Sequence, residues 1–349
     1  MRLLAPAKIN LHLRVGPRRA DGFHSLLSWM TTVGLFDSLT LEQQAANDPR
    51  SPLRTGAGEG SVVERAGSGN TAPIALSCDL PGLPCDERNL VVRIAQAWRE
   101  EAARSVSSAP PAPDVYGDSP GRTGARAAEG PVRVGGVRAT LEKRIPVGAG
   151  LGGGSSDAAR TLLGLNRLWR MDRAADDLSA FAARFGSDLS FFFYGPSSVC
   201  RGRGEIVTPI ARPAVGWVVL VLPRLAMPTA NVYRRFDEMG LGRDEDLERA
   251  PDWNSWASMK SEELLSRLVN DLEPPAFDLA PQLGHLRRRV EEIVKRPVRM
   301  SGSGSSLLTL FDEQNDADSA AEHIERDVRE RAISTTLSPD FHDDLNAAW

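Results

Sequence analysis

Three groups of residues in this sequence have the types and spacing to do chemistry. The first is the run Pro146, Val147, Gly148, Ala149, Gly150, Leu151, Gly152, Gly153, Gly154, Ser155, Ser156 and Asp157. Its glycines leave backbone N–H groups free to face an anion. The second is Lys8 with Asn10, close to the N-terminus. The third is Asp188, a carboxylate set against the apolar run that contains Leu189, Phe191, Phe192 and Phe193. A carboxylate so placed must reach solvent, pair with a cation or suffer a raised pKa, which makes it a candidate base. The competing reading is a helix cap, with Ser187 or Asp188 preceding an apolar segment. Lys8 likewise reads either as a solvent-exposed strand lysine or as a cation beside a reacting group.

The elements that must position these groups follow from periodicity. Val137, Ala139 and Leu141 alternate with Arg138, Thr140 and Glu142, the period of a half-buried strand that Pro146 ends. After the glycines, Ser155 or Ser156 is expected to cap a helix whose first turn holds Asp157 and whose apolar face holds Ala158, Ala159, Leu162, Leu163, Leu165 and Trp169. A phosphate at that N-terminus would meet loop amides and the helix dipole. A flexible linker would explain the glycines but not this strand and helix. A dinucleotide fingerprint needs a second strand bearing an acidic residue after the helix, and another helical pattern (Leu178, Phe181, Ala182, Phe185) stands there instead. The Walker arrangement needs a lysine before Ser155, where Gly154 stands. A nucleoside-triphosphate site of another type remains.

Ala7, Ile9, Leu11 and Leu13 alternate with Lys8, Asn10, His12 and Arg14, so Lys8 belongs to a strand with one apolar and one polar face. The turn signal Asp21-Gly22 precedes Phe23 and His24, either a packed aromatic with a surface histidine or a stacking platform for a base. Leu26 to Leu41 reads as strand-rich, punctuated by Gly34 and Asp37-Ser38, and residues 89–103 as an amphipathic helix. Residues from about 45 to 75 and 103 to 136 are rich in Gly, Pro, Ala, Ser and Arg and read as surface insertions. Residues 199–207 suggest a hairpin. Trp217 to Leu222 reads as a buried strand opening a second unit, with a boundary near 210–214. The glycine-serine run Ser301 to Ser306 precedes a strand at 307–311, and a last helix is expected over 316–331.

Composition bounds the class. With 349 residues, 41% hydrophobic and 25% charged, the chain has the size of about two globular domains. The longest apolar runs are too short for a membrane span, and the N-terminus turns polar too soon for a signal peptide. Cys78, Cys85 and Cys200 lack metal-site spacing, so a reducing cytoplasm is expected. A net charge of -4 gives no support for nucleic-acid binding, and Arg287-Arg288-Arg289 reads as a solvated helix face.

Taken together, the glycine loop without a Walker lysine, Lys8, Asp188 and the late Ser-Gly-Ser-Gly loop resemble the GHMP small-molecule kinase superfamily. Pro6-Ala7-Lys8-Ile9-Asn10-Leu11-His12-Leu13, Arg18 to His24, Gly186-Ser187-Asp188, Asn270-Asp271-Leu272-Glu273 and Ser301 to Ser305 are similar, in that order, to the 4-diphosphocytidyl-2-C-methyl-D-erythritol kinase family. The resemblance implies an α+β, two-domain fold, with a ribosomal-protein-S5-like N-terminal domain over 1–210, a ferredoxin-like C-terminal domain over 211–349, and the active site in the cleft between them. It implies ATP as phosphate donor with Mg²⁺, Pro146 to Ser156 at the phosphates, and Lys8 with Asp188 as the catalytic pair acting on the 2-hydroxyl of a CDP-linked sugar alcohol. Asn10 is implied at the methylerythritol part, and Phe23 and His24 at the cytosine. Phe23 stands where the family shows tyrosine, and Gly186-Ser187-Asp188-Leu189-Ser190 where it shows Gly-Ala-Asp-Val-Pro. No Mg²⁺ ligand is named by this pattern, although the hydroxyls of Ser155 and Ser156 lie near the phosphates in sequence. Kinases of homoserine or mevalonate are the alternative within the superfamily. The oligomeric state is open.

Overall fold

The computed structural model describes residues 1–44, 73–107 and 134–345, so the expected insertions at 45–75 and 103–136 lie, apart from their ends, outside the described residues. Strands β1 (Arg2–Arg18) and β2 (His24–Gln44) form a long antiparallel ribbon. With β3 (Ile74–Cys78), β4 (Gly136–Glu142), β5 (Ser197–Arg201) and β6 (Ile206–Pro209) they make a six-stranded sheet in the order β3-β4-β2-β5-β6, with β1 paired to β2 off that path. Helices α1 (Leu90–Ser107), α2 (Gly153–Leu168) and α3 (Ala175–Ala182), with a 3₁₀ helix over Ser187–Phe193, build the first core against it. There Leu39, Leu41 and Leu141 meet Trp98, Leu162, Leu165, Trp169 and Phe192, all essentially closed to solvent. Full burial of one such side chain contributes about 1.5–3 kcal/mol.

A second sheet holds β7 (Trp217–Leu222), β8 (Arg299–Met300), β9 (Leu307–Phe311) and β10 (Arg331–Thr336) in the antiparallel order β10-β7-β9-β8. Its core takes Val290 and Ile324 from the helices Pro281–Val294 and Gln314–Val328, and Val232 and Phe236 from α4 (Thr229–Glu238). The expected α+β architecture with two sheets holds. Among the described residues no helix is long and apolar enough to cross a membrane.

The ribbon joins the two units. Ala7, Ile9, Leu11 and Val33 pack on Val218, Leu220, Leu308 and Leu310 of the second sheet, forming a third core between the sheets. That packing buries the apolar face of β1, and the polar face is no less closed: Lys8, Asn10 and His12 are each 3–4% exposed. The connector between β6 and β7 spans the region of residue 210, and the last described residues return to the first sheet. Leu337 bridges to Val33, and Asp343 accepts the Leu4 N–H at 3.0 Å and pairs with Arg160 of α2.

Two readings change. The segment expected to break at Gly34 and Asp37-Ser38 is one continuous strand, because Gly34 lies in a bulge where the pairing steps from Pro6–Phe36 to Ala7–Val33. A Cβ at Gly34 would lie 2.5 Å from the Thr336 hydroxyl and 2.6 Å from that of Thr335. The last helix stops at Val328, and β10 follows. Arg331-Ala332-Ile333-Ser334-Thr335-Thr336 carries too little apolar alternation to announce an edge strand.

Candidate active site

The glycine loop follows β4 and opens α2, as its flanking periodicities require. The helix begins at Gly153, not after a serine cap. Its N-cap is Gly152, in the left-handed region at φ 68° and without a side-chain hydrogen bond. Two things hold position 152 to glycine: the left-handed φ, and Lys8, whose Cγ would lie 2.8 Å from a Cβ there. The first N–H groups of α2 are thereby left uncapped beside a cleft of about 450 Å³ that Pro146 to Ser155 line. Ser156 is buried beneath the loop.

The middle of the loop is tied down by backbone. Lys8 N–H donates to the Leu151 carbonyl at 2.9 Å, and Ser306 N–H to that of Ala149 at 3.1 Å. The Ser301 hydroxyl donates to the Gly150 carbonyl at 3.3 Å. Gly302 closes the approach: its φ is 56°, and a Cβ there would lie 3.2 Å from the Asn10 amide oxygen. The late glycine-serine run is thus a wall of the same cleft.

Lys8 and Asp188 meet across it, with Lys8 Nζ 3.3 Å from Asp188 Oδ2. The lysine side chain is 5% exposed and the aspartate 38%, so Asp188 both pairs with a cation and reaches solvent. Lys8 also donates to the Asn10 amide oxygen at 2.7 Å, and the Asn10 amide donates to Ser28 Oγ at 2.8 Å. Asp188 stands in the first turn of the 3₁₀ helix and caps nothing. Its negative charge is felt nearby: burial first, and Asp188 second, push up both the Cys200 thiol and the Tyr233 phenol, so each keeps its proton. His12, two residues beyond Asn10, is driven the other way. Burial and then Arg14 lower its pKa to about 4, and its ring sits edge-on to Trp253 and Trp256.

Phe23 and His24 do not share one surface. His24 is buried, with Nδ1 2.9 Å from the Gly16 carbonyl and Nε2 3.3 Å from Asp237. Its ring stands 5.1 Å from that of Tyr233, and Tyr233 lines the cleft. Phe23 is exposed, with the Arg203 guanidinium 4.7 Å from its ring centroid. Tyr233 was not singled out from sequence, where it is one residue of an ordinary helical pattern. Asp157 also departs from its expected place. It is not an open first-turn acid but a buried partner of Lys143 at 2.8 Å, and Lys143 also lines the cleft. A second cavity, of about 620 Å³, is walled by Asn270, Asp271 and Glu273 and includes neither Lys8, Asp188 nor any loop residue.

Known proteins resemble this chain in sequence and in fold. Residues 122–196 match the GHMP kinases N terminal domain, and residues 245–330 the GHMP kinases C terminal domain. A 4-diphosphocytidyl-2-C-methyl-D-erythritol kinase of Nocardioides sp. is 34% identical over 91% of this chain and 90% of its own length. A crystal structure of 4-(cytidine 5'-diphospho)-2C-methyl-D-erythritol kinase is 33% identical and superposes with a TM-score of 0.66, covering 97% of this chain and all of its own. A homoserine kinase from Cytophaga hutchinsonii has a TM-score of 0.60 at 15% identity, covering 97% of this chain and 94% of its own, a likeness of fold alone.

Proposed function

The chain belongs to the 4-diphosphocytidyl-2-C-methyl-D-erythritol kinase family of the GHMP kinases, and from that premise we propose that it transfers the γ-phosphate of ATP to the 2-hydroxyl of 4-(cytidine 5'-diphospho)-2-C-methyl-D-erythritol, a step in non-mevalonate isoprenoid precursor synthesis. The observation that carries the reading is the Lys8–Asp188 pair at 3.3 Å, in the same cleft as the uncapped start of α2.

In this mechanism the loop amides and the N-terminus of α2 hold the phosphates of ATP. A neutral alcohol is a poor nucleophile, and Asp188, half-open to the cleft, takes its proton as the oxygen attacks the γ-phosphorus. The bond from that phosphorus to the β,γ-bridging oxygen breaks, and ADP leaves. Lys8 pairs with Asp188 and offsets charge on the transferring group. Asn10 holds the Lys8 ammonium in place and offers its amide to the sugar-alcohol part. Mg²⁺ arriving on the triphosphate would meet the Ser155 hydroxyl at the cleft wall, a hard oxygen donor of the kind it takes, and would neutralise charge on the phosphates.

For the cytosine, the ring faces available at this end are Tyr233 inside the cleft and Phe23, which is solvent-exposed. His24 packs on Tyr233, and a direct contact from its ring to the base requires exchange of the Asp237 contact. The test is an assay of the purified protein with ATP and Mg²⁺ across three alcohols. Phosphorylation of the CDP-linked methylerythritol at the 2-position is expected; transfer to homoserine or mevalonate, with none to the CDP-linked substrate, would overturn the reading.

A further inference from the structure

Behind the phosphate loop lie three buried charges that the transfer step does not use. Asp37 of β2 accepts the backbone N–H of Arg144 at 2.5 Å and that of Ile145 at 2.9 Å, the two residues that lead into Pro146. It also accepts from Lys143 Nζ at 2.5 Å, and the same ammonium donates to Asp157 Oδ2 at 2.8 Å. Asp37, Lys143 and Asp157 have side chains 0%, 4% and 3% exposed. The entry to the loop and the first turns of α2 are therefore held to one point on β2.

The loop needs such a hold. Gly148, Gly150 and Gly152 all have positive φ, at 72°, 78° and 68°, so its backbone has more freedom to lose than any other residue type would bring. Bonds from Lys8, Ser301 and Ser306 restrain its middle, and the three charges restrain its ends. A buried ion group is weak evidence of stabilisation, because desolvation cancels much of the Coulomb gain. Here one ammonium serves two carboxylates. Burial raises the Asp157 pKa even against the pull of Lys143, and the two carboxylates hold the Lys143 pKa up against its own burial. A geometric duty explains the arrangement better than added stability does.

We infer that Asp37, Lys143 and Asp157 are positioning residues: a staple that sets the spacing between the loop amides and the N-terminus of α2, so that affinity for the donor's phosphates depends on it and affinity for the donor's nucleoside does not. The inference rests on the reading of the loop as an ATP phosphate site, and the test separates the two.

The full chain is titrated calorimetrically with a non-hydrolysable ATP analogue and with adenosine. Wild type is expected to bind the analogue at least about tenfold more tightly, since only the analogue reaches the loop; equal affinities would remove the loop reading itself. In Asp157→Ala the analogue is expected to lose about tenfold while adenosine stays within about twofold, the scale of a small misplacement of donors. Asp157→Asn keeps an oxygen acceptor for Lys143 and is expected to stay within about twofold of wild type for both ligands. The staple is overturned if Asp157→Ala keeps its affinity for the analogue, if both ligands weaken together, or if Asn is no better than Ala. Should Asp157→Ala fail to give a cooperative thermal melt, the same two titrations on Asp37→Asn decide: both Asp37 oxygens are engaged, so an Asn whose oxygen serves Arg144 and Ile145 turns an amide nitrogen to Lys143, with a loss confined to the analogue expected and a shared or absent loss overturning the inference.

Discussion

At the glycine-loop end of the cleft the facing groups are largely main chain, and at the Lys8–Asp188 end, the acceptor end in the proposed reaction, they are side chains. Gly148, Gly150 and Gly152 bring backbone, and the buried Asp37, Lys143 and Asp157 hold the ends of their loop, Lys143 and Asp157 also reaching the cleft wall. Lys8, Asn10, Asp188 and Tyr233 present functional atoms directly, and Asp188 stays 38% exposed. The difference follows from what each end must do. An anion is recognised by fixed N–H groups, which require a rigid backbone and no protruding Cβ. A proton transfer requires a carboxylate that a substrate hydroxyl can touch. One end is backed by nearly closed side chains; the other trades burial for access.

Four measurements break or sharpen that contrast. The largest effect concerns the strand that serves the acceptor end. His12 shares its polar face with Lys8 but stays neutral, its pKa lowered to about 4 from 6.5 by burial and then by Arg14. Below pH 6.5 the unfolded chain takes up a proton that folded His12 refuses, so stability falls as the pH drops from 6.5 to 4, by up to about 3 kcal/mol. Urea unfolding of wild type and His12→Leu across that window checks it: the difference in slope should be His12's, and parallel curves would mean that another group carries it.

Next is Asp188→Asn, expected to lower turnover by at least ~100-fold with the melting temperature and KM for ATP little changed. Near-normal turnover would take Asp188 out of the base role.

Gly152→Ala joins the two ends, because the new methyl group sits on the Lys8 stem and Ala at φ 68° is strained by roughly 1–2 kcal/mol. Both a higher KM for ATP and a lower kcat are expected, each by about tenfold. An effect on KM alone would show the two ends to be independent.

The smallest effect is the most selective. Tyr233→Ala should raise KM for the cytidyl substrate by about tenfold, the lower part of the range for a stacked base, and leave KM for ATP in place. Tyr233→Phe keeps the ring and should stay within about twofold.

Much of the donor end was legible in the sequence because it is local. A period-two strand, a block of glycines and a helical stripe lie within some thirty residues, and backbone chemistry depends on little else. The start of α2 was misplaced by three to four residues: the N-cap is Gly152, where Lys8, far away in sequence, leaves no room for a side chain. Lys8 and Asp188 could each be marked by their settings, a lysine on a strand and an acid before an apolar run. That they stand 3.3 Å apart was implied only by resemblance. Tyr233 and Lys143 gave no local signal: an aromatic in a helical pattern and a lysine just past a strand carry no mark of their partners.

By itself the sequence determined the α+β class, the glycine loop between a strand and a helix, and the family to which the chain belongs, since glycine content, hydrophobic period and motif order are written along the chain. The tertiary structure decided which charges meet. Whether a lysine is a solvated surface group, a staple or part of a reacting pair depends on the partners that folding brings to it and on how far water is excluded. Lys8 and Lys143 have the same side chain and differ in their partners: one faces a carboxylate open to the cleft, the other two carboxylates that are nearly closed to solvent.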